Sequence, residues 1–244
     1  MIKKILISTL LCSAHIWCQV NTESMRGKHE TSGLSQNMDL SFAYISGISK
    51  IIFFNASYRL DYTSKSNWYG FFETRYDRAF EKSQEDFTNR GFGHLRTVKK
   101  VFPHIQMEGF LQKEFNYFID LENRELIGGG LRFKAGEQFF IGIGAMHEKE
   151  VYIETYGQNI IKSTNYINYS VQLMENMTLE NILYYQVELE EIDHFRILWD
   201  GRLSFQGSDW LSFYFSCNYR YDLSDINTNG ISYFEITNGL GFHF

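Results

Sequence analysis

The stretch Ser232-Tyr233-Phe234-Glu235-Ile236-Thr237-Asn238-Gly239-Leu240-Gly241-Phe242-His243-Phe244 decides how the chain folds. Phe234, Ile236, Leu240, Phe242 and Phe244 stand at alternate positions, with Glu235, Thr237, Gly239, Gly241 and His243 between them. Side chains of a β-strand point to opposite faces in turn, so a period of two means one greasy face and one small or polar face.

The same rhythm fills the rest of the sequence from about Asn37 onward. Leu40, Phe42 and Tyr44 share a face, as do Ile52, Phe54, Ala56, Tyr58, Leu60 and Tyr62. Further on, Ile105, Met107, Gly109 and Leu111 alternate, then Phe139, Ile141, Ile143 and Ala145, then Leu211, Phe213 and Phe215. About twelve such segments can be counted, with the weakest signal around Gly91 to Val101. A 3.6-residue period over ten or more residues is found nowhere outside the N-terminal stretch, so the fold class is all-β. The single proline of the 244-residue chain, Pro103, leaves the strands without a breaker.

Composition narrows the class. Aromatic residues make up 17% of the chain, and Tyr and Phe suit both strands and membrane interfaces. Mean hydropathy is −0.29, which leaves no room for helical spans, yet a barrel that hides apolar residues by alternation keeps such a value. The formal net charge of −6 argues against a nucleic-acid partner.

The chain begins Met1-Ile2-Lys3-Lys4 and continues with an apolar run from Ile5 to Trp17. A basic start and an apolar core too short to span a bilayer read as a secretory signal peptide, expected to occupy residues 1–19. Trp17 before Cys18 and Leu11 before Cys12 are too bulky for a lipoprotein signal. Residues 20–36 are polar and aperiodic and are expected to form a flexible mature N-terminal segment. Residues 37–244 then form one domain: a transmembrane, antiparallel, up-and-down β-barrel of about twelve strands. Membrane strands need about 9–11 residues when tilted, and these segments supply them.

The connections point the same way. Glu81–Arg90, Asp120–Glu125, Glu148–Ser163, Glu190–Asp193 and Leu223–Gly230 are read as the longer links. Ser64–Ser66, Phe102–His104, Ala135–Glu137, Glu175–Met177 and Gly207–Asp209 are read as short turns. Long links outside and short turns in the periplasm are the habit of outer-membrane barrels, and an even strand count puts both termini on the periplasmic side. The expected location is therefore the outer membrane of a Gram-negative envelope. Its lipid and the barrel assembly machinery are the expected partners, and Phe242 and Phe244 form the assembly signal.

If the greasy face meets lipid, the other face lines a lumen. The expected lumen-lining residues are Arg96, Glu108, Gln112, Glu114, Asn116, Arg124, Arg132, Glu148, Glu188 and Arg202. An Arg or Lys on the lipid face would cost about 2–4 kcal/mol near the midplane, and that cost decides which face is inside. Acids on one strand stand beside bases on the next, so lumen ion pairs across strands are expected. Two readings compete: an interior filled by paired charges, or a water-filled path that admits a small solute or ion. An open path with Glu148, Glu150, Glu180, Glu188 and Glu190 on one side implies weak cation preference.

Signals for catalysis are poor. His94, His104, His147, His194 and His243 form no HxH or HxxxH spacing, so no metal or cofactor is expected. An outer-membrane lipase or acyltransferase would need a Ser with a His within hydrogen-bond reach, and no such pair faces one way on a strand. The chain is read as a non-catalytic envelope protein, porin-like or structural, with a lipid-modifying enzyme as the alternative. Gly128-Gly129-Gly130 follows no phosphate-binding spacing and is expected at a bend or a close packing point.

One region carries more than the generic pattern. Glu108-x-Phe110-x-Gln112-x-x-x-Asn116 is followed by Leu121-x-x-Arg124-x-Leu126-x-Gly128-x-Gly130-Leu131-Arg132. This order resembles a family of salt-induced outer-membrane proteins, a domain-of-unknown-function family. The resemblance implies an outer-membrane barrel and no established reaction, and it carries Glu108, Phe110, Gln112, Asn116, Arg124, Gly128, Gly130 and Arg132.

Overall fold

The computed structural model describes residues 32–46, 50–81, 86–117, 120–153, 157–208, 211–224 and 229–242. The expected signal peptide and Phe244 lie outside these residues. Twelve strands follow one another: β1 (Gly33–Ser46), β2 (Lys50–Thr63), β3 (Trp68–Glu81), β4 (Asp86–Phe102), β5 (Ile105–Asn116), β6 (Leu121–Lys134), β7 (Phe139–Tyr152), β8 (Gln158–Met174), β9 (Met177–Val187), β10 (Phe195–Ser208), β11 (Leu211–Leu223) and β12 (Ile231–Phe242). Each pairs with its sequence neighbours, in the order β1 to β12, and the registers are antiparallel. This is the fold class of an up-and-down antiparallel β-barrel. Among the described residues no helix is long and apolar enough to cross a membrane.

The strands run further than the apolar alternation alone indicates. β1 begins at Gly33, inside the segment read as flexible, and β4 extends back to Asp86. β7 continues through Glu148 and Glu150 to Tyr152, so part of the expected Glu148–Ser163 link is strand. The reason is that backbone pairing does not stop where the outward side chains turn polar. The longest links run from an odd to an even strand: five residues, 153–157, separate β7 from β8, and seven, 188–194 and 224–230, separate β9 from β10 and β11 from β12. The expected contrast is lost elsewhere, because the strands extend into the links: β3–β4 and β5–β6 are joined by four residues, as β2–β3 and β6–β7 are.

The two faces differ in kind. Outward residues form contiguous apolar rows: Phe42 pairs with Phe54 and Tyr44 with Ile52 across β1 and β2. Phe42 is 68% exposed and Ile127 is 56% exposed. The opposite face is buried and charged, with Arg124 and His94 fully enclosed and Glu148 and Glu150 nearly so. A water-soluble domain would have the reverse arrangement.

By its contacts the chain falls into two compact units. One contains the described parts of residues 26–131 and 145–161, the other those of residues 132–144 and 162–244.

Candidate functional site: two buried polar seams

In the unit built on β2 to β6 and the end of β7, the polar face is one continuous network. Arg59 lies across from Glu73 in the β2–β3 register. Its guanidinium donates to Glu73 at 2.8 Å and, through Nε, to Asp61 at 2.7 Å. Nη2 of Arg59 also donates to Asp61 at 2.7 Å, and the Tyr69 hydroxyl adds a third bond to that carboxylate at 2.8 Å. Next to this group is a stack of rings. Phe71 and His94 lie with centroids 5.6 Å apart, and His94 stacks on Phe110 at 6.0 Å. Arg59 caps Phe71 at 4.6 Å and Arg96 caps Phe110 at 5.6 Å, so each end of the stack carries a cation over a π-face.

From His94 the network continues strand by strand. Its Nδ1 lies 3.0 Å from the Gln112 carbonyl oxygen, and the Gln112 amide donates to Glu114 at 2.9 Å. Glu114 pairs with Arg124, whose Nε donates to Glu150 at 2.6 Å and lies 3.4 Å from Glu148. Tyr152 donates to Glu150 at 3.0 Å. Arg96 forms a separate ion pair with Glu108 at 3.0 Å. A guanidinium presents five donors in a planar fork, so Arg124 can serve three carboxylates at once. Gly128 makes room for this packing. A Cβ there would sit 2.5 Å from Phe110 Cζ and 2.7 Å from Met146 Cβ, so only hydrogen fits.

The second unit carries shorter ion pairs and an apolar cluster. Glu188 lies 3.5 Å from Lys162 Nζ and 3.2 Å from His194 Nδ1. Arg196 pairs with Asp222 at 2.7 Å and Arg220 with Asp200 at 2.6 Å. Between these pairs Tyr166, Ile182, Tyr184 and Leu198 pack together, with the Tyr rings 5.2 Å apart. Gly142 lies beneath Tyr166, and a Cβ there would overlap the ring. Arg132 stacks on Phe140 at 3.7 Å.

Of the residues expected on the lumen face, Arg96, Glu108, Gln112, Glu114, Asn116, Arg124, Arg132, Glu148 and Glu188 are buried on the polar face. Arg202 is exposed, its guanidinium 4.3 Å over the Tyr214 ring. Phe242 ends β12, while Phe244 is outside the described residues. Asp61 and Glu73, which alternation also puts on the polar face, join the ionic set, and the structure adds Tyr152 and Lys162 to it and Phe71, Phe110, Tyr166 and Tyr184 to the same face. Alternation could not single out the latter, because strands such as Phe71-Phe72 and Tyr184-Tyr185 carry rings on both faces. Among the described residues no group of three His, Cys, Asp or Glu side chains is placed to hold a metal ion.

Three solved structures are similar to this chain at 10% identity. They are a KdgM porin (86% of this chain, 98% of that one, TM-score 0.44), a KdgM porin in complex with disordered oligogalacturonate (84% and 98%, 0.45) and a NanC porin (86% and 99%, 0.48). No curated protein matches the sequence. The family described as "Protein of unknown function, DUF481" matches residues 38–230, a span that holds both polar seams, and the chain belongs to that family.

Proposed function

We propose that this protein is a non-catalytic outer-membrane β-barrel whose polar face lines a narrow lumen, kept in shape by ion pairs and passing small ions or solutes. The observation that supports this reading is the inverted distribution of side chains. Arg124, Glu114, Glu148 and Glu150 are buried together, while Phe42, Ile127, Ile143 and Phe234 stand exposed. In water that arrangement forfeits the hydrophobic contribution of the apolar rows, and in a bilayer it regains it. Both termini are assigned to the periplasm, which places the longer links outside.

The seams favour a narrow path over a wide one. Charges locked into pairs and rings stacked between them fill space and leave few groups to bind a solute. An enzyme of the lipase type finds no support in the arrangement: His94 hydrogen-bonds to Gln112, and His194 lies against Glu188.

The test is conductance of the refolded protein in a planar bilayer. Small discrete steps with a weak preference for cations support the reading. A silent bilayer containing demonstrably inserted protein contradicts the channel and leaves a structural barrel. Steps the size of those of a wide porin contradict the narrow lumen.

A further inference from the structure

One feature of the outward face does not fit a plain lipid-facing surface. Near the ends of β5, β6 and β7 that carry the longer links, four outward positions are charged or protonatable: Lys113, Glu125, His147 and Lys149. All four are exposed, with Lys113 and Glu125 paired at 2.9 Å. Immediately below them the same face turns apolar at Leu95, Leu111 and Ile127. Together with Phe72 these residues wall a groove of about 480 Å³, and the charged residues form its rim. The groove exists because Gly93, across from Lys113 in the β4–β5 register, has no side chain. A Cβ there would find only Phe72 Cε2, at 3.9 Å.

We propose that this groove is a binding site for a phosphorylated lipid, with an acyl chain lying between Phe72, Leu95, Leu111 and Ile127 and its phosphate held by Lys113, Lys149 and His147. Charge complementarity and position carry the argument. The rim holds two lysines and a histidine against one carboxylate, so it retains net positive charge. It also lies where charged side chains interrupt the outward apolar row, next to the rings of Phe115 and Tyr117, and aromatic rings of this kind mark the headgroup level. Lys113 can lay its methylene stem along the groove while its ammonium reaches the phosphate, and Glu125 holds that ammonium in place. A phosphate offers several acceptor oxygens to converging cations, which a neutral headgroup does not. The site rests on the outer-membrane reading above. At the end with the longer links the lipid is that of the outer leaflet, a phosphorylated glycolipid.

The experiment uses the full-length mature protein refolded into phosphatidylcholine vesicles with lipid A, or with dephosphorylated lipid A. Insertion is scored first by heat-dependent gel mobility, and lipid retained per protein is then measured after extraction into mild detergent. Preferential retention of lipid A is expected, falling roughly tenfold in the double variant Lys113→Gln/Lys149→Gln. Gly93→Leu, which fills the groove and leaves the charges, should lower retention comparably while inserting normally. Equal retention of the two lipids, or retention unchanged in both variants, overturns the proposal and leaves the barrel intact. Displacement of lipid A by inorganic phosphate at matched concentration overturns it in favour of a soluble-anion site. Failure of the protein to insert at all overturns the barrel reading, and this site with it.

Discussion

Arg124 shows what a single side chain does in this fold. It is fully buried, yet it faces Glu114, Glu148 and Glu150 within ion-pair distance. Burying an isolated charge is prohibitive, and burying a hydrogen-bonded group of charges is tolerable only while the group is complete. Arg124→Met keeps the volume and removes the cation, leaving three carboxylates without their common donor. The expected loss is about 3–5 kcal/mol, read as a lowered urea midpoint of the refolded protein. Gly142 makes the same point through space. Because a Cβ would overlap Tyr166, Gly142→Ala should cost about 1–3 kcal/mol by the same assay, although alanine is otherwise a conservative change. Arg124 was legible in the sequence, as a base on a strand between acidic neighbours. Gly142 was not, since nothing local reveals that Tyr166 on the neighbouring strand β8 needs its volume.

The strands carry the signal that made the fold readable. Period-two alternation fixes which face is apolar, and it holds in β2, β5, β7 and β11 well enough to assign register parity from sequence alone. It weakens in two situations, each with a physical cause. Where the polar face also holds rings, as at Phe71 on β3 and Tyr184 on β9, both faces read as apolar and the inner cluster is hidden. Where charged residues interrupt the outward apolar row, the strand reads as a loop, as at His147 and Lys149 on β7, although Val151 follows on the same face. The two levels of one strand therefore respond differently to charge. Ile127→Arg, inside the belt on β6, should cost about 2–4 kcal/mol and reduce the yield of heat-resistant folded protein. Glu125→Arg, one outward position along the same strand, should insert as well as the native chain. Equal penalties at both positions would contradict the boundary drawn between them.

At the scale of the molecule, paired charges lie on one face of a twelve-stranded sheet and exposed apolar residues on the other. Topology followed from strand count and link lengths, because antiparallel neighbours joined by short links leave few alternatives to sequential order. The detailed seams did not follow, because which carboxylate meets which guanidinium depends on register between strands, and parity does not set register. The most direct measurement places one environment-sensitive fluorophore at two adjacent positions of β8, Ile167→Cys and Asn168→Cys, in vesicles containing lipids brominated along their chains. Ile167 is exposed on the apolar face and Asn168 is partly buried on the other. Strong quenching at position 167 and little at 168 are expected if the apolar face meets lipid. Equal quenching at both, or quenching reversed between them, would contradict it.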